Sequence, residues 1–200
     1  MKEKGTLLQR MINTKREEKY KIILVIMSEE TRLEYALLHS HKNEMISFMK
    51  AHPEYFEEAI ELAIQDKQPY SWRAAWVLWS CISKNDSRVQ KHVNKLIESI
   101  DDKTDGHQRE LLKILIEMDL NEEQEGYLYA LCVSLWEEIE KKPSVRYTAF
   151  RFINNTAQKH PDLVNELLLL TQDKYMSTLS PAVHRSISKM IKNTMESHKN

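Results

Sequence analysis

The chain has 200 residues, 42% of them apolar and 30% charged, with a net charge of −1; it can bury a sizeable core and is too apolar for a disordered chain. Three glycines and five prolines are too few for a fold built on tight turns and bulges, which excludes a β-rich architecture. A net charge near zero also argues against a surface that tracks nucleic-acid phosphates along its whole length.

In chain order, the first fifty residues predict short helices near 3–13, 15–27, 30–40 and 42–51, suited to capping a larger helical array. MKEKGTLLQRM has no apolar stretch followed by a small-residue cleavage site, so no secretory leader is expected. The longest apolar run, Ile22 to Met27, falls far short of the ~20 residues that cross a bilayer. No membrane partner is expected, and the cytoplasm is the expected setting. Cys81 and Cys132, far apart and each inside an apolar helical pattern, fit that setting as small buried hydrophobes rather than a disulfide or metal pair.

From Pro53 onward, outer and inner helices are predicted to alternate. HPEYFEEAIELAIQD opens with Pro53 in the first turn and acids behind it, which suits the helix dipole. The inner helix SWRAAWVLWSCI follows Pro69; NDSRVQKHVNKLIESI then has Asn85 or Asp86 as its N-cap. HQRELLKILIEM follows Gly106, and LNEEQEGYLYALCVSLWEEIE is capped by Asn121. SVRYTAFRFINN follows Pro143, KHPDLVNELLLLTQD repeats the proline formula at Pro161, and VHRSISKMIKNT lies beside Pro181. These breakers fall where helical hairpins must turn.

The four inner segments align on Arg73, Arg109, Arg146 and Arg185, at spacings of 36, 37 and 39 residues, the length of one helical hairpin. Three and six residues past each arginine stand Trp76/Trp79, Leu112/Leu115, Ala149/Phe152 and Ser188/Ile191. Trp72, Trp76 and Trp79 form one stripe on their helix. A register that accepts leucine, alanine or phenylalanine in place of two of them predicts that the stripe is core. Trp72, whose equivalents Gln108 and His184 are polar, is the one expected to face a ligand.

SVRYTAFRFINN and SWRAAWVL resemble the second helices of HEAT repeats, in which an arginine is followed by small and apolar residues. The resemblance covers residues 42–197. It implies an all-α fold, a right-handed α–α superhelix of about four to five helical hairpins, with capping helices over 1–52 and repeats over 53–200 as one continuous domain. The run AHPEYFEEAIELAI…PYSWRAAWVLW is similar to a group of short bacterial helical-repeat proteins often labelled adenylosuccinate lyase. That lyase family carries a loop of the form SSxMPxKxN, whose serine is the general base. The nearest stretch here, YMSTLSPAV, lacks the lysine and asparagine.

Other catalytic patterns are missing. No GxGxxG, GxxxxGK[ST], GxSxG or HExxH occurs, and no Cys/His cluster has zinc spacing. Pairs such as Glu57/Glu61 share a helix face, yet acid–base work needs a desolvated cleft, and outer-helix glutamates read as solvated. No catalytic residue, cofactor or metal is expected. The recurring arginines are predicted to pair with acids shortly upstream, Asp66, Asp105 and Glu140, as a ladder fixing the turns. In the other reading they line the concave surface as an anion-binding row, with Arg151 and Arg185 the freer members. The candidate binding set is therefore Trp72, Arg73, Arg109, Arg146, Arg151 and Arg185.

Charge is uneven: Lys plus Arg against Asp plus Glu is 10 to 7 over residues 1–50, 9 to 19 over 51–140, and 10 to 4 over 141–200. This fits either a partner surface or ordinary variation among solvated faces. The leading expectation is a non-enzymatic scaffold that binds a protein or peptide on its concave face. Nucleic-acid binding in the manner of HEAT-like glycosylases for alkylated DNA bases is the alternative, carried by the basic C-terminal segment with Tyr147, Phe150 and Tyr175. A small-molecule enzyme working in an inter-helix groove is the third.

Overall fold

The structure, a computed structural model, describes residues 30–198. Helices α1 (Arg32–His39) and α2 (Lys42–Ala51) lie where the sequence predicts them, whereas the helices expected at 3–13 and 15–27 lie outside the described residues. α1 opens on a capping box, in which the Thr31 hydroxyl accepts from the Glu34 N–H and the Glu34 carboxylate accepts from the Thr31 N–H.

The rest of the chain alternates between two layers. The outer helices are α3 (Phe56–Ile64), the short α5 (Ser87–Gln90) and α6 (Val93–Glu98), α8 (Glu122–Glu137) and α10 (Val164–Leu169). The inner helices are α4 (Tyr70–Cys81), α7 (Asp105–Ile116), α9 (Pro143–Lys159) and α12 (Pro181–Ser197), with a single turn, α11 (Asp173–Met176), before the last. α4 packs on α7, α7 on α9 and α9 on α12; α3 backs α4, α6 backs α7, and α8 backs α9. This two-layer stack is an α–α solenoid. Its core runs between the layers through Ile60, Leu78, Leu96, Leu111, Cys132 and Phe150, all buried.

Local chemistry departs from the predicted helices in places. NDSRVQKHVNKLIESI is two short helices broken at Lys91 and His92. Asp86 is the N-cap, its side chain accepting from the Arg88 N–H. Asn85 precedes it in the left-handed region at φ 54°, which asparagine tolerates, and donates its N–H to the Glu117 carbonyl at 2.8 Å. Pro53 and Pro161 each open a 3₁₀ turn (Pro53–Tyr55, Pro161–Leu163) ahead of the α-helix proper. Gly106 is the second residue of α7 rather than the residue before it.

Candidate functional site

α4 buries Ser71, Ala74, Ala75, Val77 and Leu78, and α7 buries His107, Gln108, Glu110, Leu111, Leu112, Ile114 and Leu115. All five buried positions of α4 have a buried counterpart 37 residues later, whereas at 36 Val77 falls on the half-buried Lys113. The repeat between these helices is therefore 37 residues, not the 36 given by aligning Arg73 with Arg109. One residue on a helix of 3.6 per turn is a rotation of about 100°, and it turns the tryptophans out of the core. Trp72 and Trp79 are 37% and 38% exposed, and Trp76 is half-buried. The expectation that the stripe is core fails at Trp79, while Trp76 packs partly against the core and Trp72 lies outside as expected. Small residues make the packed face of α4, so the large rings are left for the outside.

In the corrected register Trp72 corresponds to Arg109 and Arg146, while Trp76 corresponds to Lys113. Cations from three helices lie against the stripe. The Arg73 guanidinium stands 5.6 Å from the Trp72 ring, Lys42 Nζ of α2 5.7 Å from Trp76, and Lys113 Nζ of α7 4.0 Å from Trp79. Such contacts contribute about 0.5–1 kcal/mol each at exposed sites and hold the rings in place. Beside Trp72 and Trp76 a groove of about 270 Å³ opens between α2 and α4, lined by Lys42, Met45, Trp72, Arg73 and Trp76.

The arginine ladder takes a different form from the one expected. Arg73 donates to the Leu37 carbonyl and, at 3.2 Å, to the Ser40 carbonyl, so it caps the C-terminus of α1. Asp66, its expected partner, accepts from the Gln68 amide at 3.0 Å instead. Arg109 pairs with its downstream neighbour, with Nε 2.9 Å from Glu110 Oε1, while Asp105 accepts from the Lys142 N–H at 2.7 Å. Glu110 is fully buried and also accepts from Lys113 Nζ at 3.0 Å. Glu140 is exposed.

Arg146 is fully buried and therefore leaves the candidate binding set. Its Nε donates to the Trp136 carbonyl at 2.9 Å, Nη1 to the Thr178 hydroxyl at 2.7 Å and Nη2 to the Tyr175 carbonyl at 2.6 Å. The guanidinium lies 4.7 Å from the Trp136 ring, and burial pulls its pKa below the ordinary arginine value. The physical reason for the change of partner is the same in Arg73 and Arg146: the last carbonyls of a helix have no intrahelical donor, and a planar fork of N–H groups satisfies several at once. Of the remaining candidates, Arg185 is exposed and Arg151 half-buried.

Two features escaped the sequence reading. First, charge divides by layer: α4, α7, α9 and α12 carry nine Lys and Arg against three Asp and Glu, while α3, α5, α6, α8 and α10 carry two against nine. The signal was present in the segment between Asp66 and Asp86, which contains no acidic residue. Second, Glu57, Glu61 and His92 bring three ligand-type atoms within 4.8 Å of one another. Lys91 Nζ lies 2.8 Å from Glu57 and Lys95 Nζ 3.5 Å from Glu61, so this outer-layer cluster already carries its own cations.

Among the described residues no helix is long and apolar enough to cross a membrane. A family model described as a HEAT repeat domain matches residues 29–195. No curated protein matches the chain, and no solved structure does.

Proposed function

The chain belongs to the HEAT repeat family, and on that premise we propose that it is a non-enzymatic scaffold that holds a protein or peptide partner on its concave, inner-helix face. The observation that carries this reading is the outward placement of Trp72 and Trp79 on a helix that packs through Ser71 and two alanines. Half-exposed tryptophans rimmed by arginine and lysine have the composition of interface anchors. Trp72, Arg73 and Arg109 belong to this surface, and Arg151 and Arg185 extend the cationic inner layer beyond it. Residues 1–52 serve as the N-terminal cap of the repeats over 53–200, and the setting is the cytoplasm. The similarity of AHPEYFEEAIELAI…PYSWRAAWVLW to the group labelled adenylosuccinate lyase is a likeness of scaffold, because the residues of the lyase loop are missing.

The test compares the unaltered protein with a Trp72→Ser/Trp79→Ser double variant and with Tyr127→Ser, which removes a ring 55% exposed on the outer helix α8. Each is used to capture proteins from the native lysate, and the captured species are identified by mass spectrometry. A specific partner should be retained by the unaltered protein and by Tyr127→Ser and be absent with the double variant. Equal capture by all three would exclude the tryptophan stripe as the contact.

A further inference from the structure

We infer that the segment seated on the tryptophan stripe is an acidic peptide that places an apolar side chain in the groove beside Met45, an inference that rests on the stripe being the docking surface. Charge complementarity selects this occupant. Neither Lys42 nor Arg73 has a carboxylate partner among the described residues, although each stands over an indole ring at the rim of the groove. Arg73 spends its donors on two main-chain carbonyls and, at 3.6 Å, on Met45 Sδ, which orient the guanidinium without cancelling its full charge. No acidic residue lies between Asp66 and Asp86, so α4 supplies no negative group of its own.

The carboxylates nearest in sequence are already committed. Glu44 of α2 accepts from the His41 N–H at 2.7 Å, Asp66 accepts from the Gln68 amide at 3.0 Å, and Asp86 is paired with Arg88 at 2.7 Å. An incoming carboxylate thus meets Lys42 and Arg73, while an incoming lysine or arginine meets like charge, which costs affinity and slows encounter. The apolar part of the demand comes from the floor: Met45 is buried, and its flexible thioether adapts to varied side chains.

The same geometry speaks against nucleic acid. Base stacking needs open ring faces, and here Arg73, Lys42 and Lys113 lie over the rings of Trp72, Trp76 and Trp79. The outer helices, with their nine acids, would also repel a polyanion that extended beyond the stripe.

The test uses fluorescein-labelled synthetic peptide pools with the full chain, read by fluorescence anisotropy. One pool is randomised over Asp, Glu, Leu and Phe, a second over Lys, Arg, Leu and Phe, and a single-stranded oligonucleotide is the third probe. The acidic pool should bind at least about tenfold tighter than the basic pool and weaken as salt rises. Lys42→Gln, an exposed residue in the first turn of α2, should weaken it several-fold, as should Arg73→Gln where that variant stays folded. Stripe-dependent preference for the basic pool or for the oligonucleotide would overturn the acidic assignment and leave the docking surface standing. Acidic-pool binding that survives Trp72→Ser/Trp79→Ser unchanged would overturn the docking surface itself. Failure of the acidic pool to bind would overturn the inference.

Discussion

His107 is fully buried under the start of α7, and that position has a consequence for stability. Its Nε2 lies 2.8 Å from the Ala63 carbonyl, which only an N–H can approach as donor, and its Nδ1 lies 3.2 Å from the Gln68 amide nitrogen, from which it accepts. Both contacts suit the neutral ring, and burial holds the pKa below the usual histidine value, outweighing the Ala63 bond that acts the other way. A group with its folded pKa depressed takes up its proton first in the unfolded chain, so the native state loses stability as pH falls from about 6.5 toward the folded value. The midpoint of urea unfolding should therefore drop between pH 7.5 and 5.5, and His107→Asn should flatten that slope; an unchanged slope in the variant would assign it to other groups. The sequence hides this histidine, since nothing in HQRELLKILIEM separates a buried His107 from a solvated one. Cys132, by contrast, was readable as a small core residue: it is fully buried and free, and burial raises its thiol pKa.

Between elements, the recurring structural device is an arginine laid across the end of a helix. Arg146 joins the last turn of α8 to the turn formed by α11 and Thr178, so it ties one hairpin to the next through two main-chain carbonyls and one hydroxyl. Replacing it with leucine would fill the space but leave the Trp136 and Tyr175 carbonyls without donors, at about 1–3 kcal/mol per buried group. Arg146→Leu should lower stability by about 3 kcal/mol, which in a chain of this size lowers the melting temperature by roughly 6–12 °C. Arg146→Lys should recover little of it, because an ammonium lacks the planar fork. A calorimetric melt of Arg146→Lys matching the unaltered protein would contradict this role. The helix starts were legible because caps are local chemistry: Asp86 and Asn121 each accept from the N–H groups of their own first turn. The arginine partners were not, since the carbonyls they reach lie 10 to 36 residues away in the chain.

Across the whole molecule, each repeat is stabilised by its neighbours, and the helices differ in how much they bury. α9 buries ten residues against helices on several sides, whereas α12 buries only Ile187 and Thr194. In a stack governed by nearest-neighbour contacts the helix with the least buried surface opens most readily. Amide hydrogens of α12 should exchange well before those of α7 and α9 in a deuterium-exchange time course, and equal protection would show cooperativity along the entire stack. The sequence by itself determined the helical class, the alternation of hairpins near 37 residues and the inner helices, because these follow from local periodicity, capping and breakers. Tertiary structure alone decided which way the tryptophans of SWRAAWVLWSCI face. Both sides of that helix are apolar enough to be core, and a register error of one residue moves a side chain by about 100°. Packing resolves the choice by size: the small face of Ser71, Ala74 and Ala75 lets α4 approach its neighbours closely, and the rings that do not fit there are left at the surface between Lys42 and Lys113.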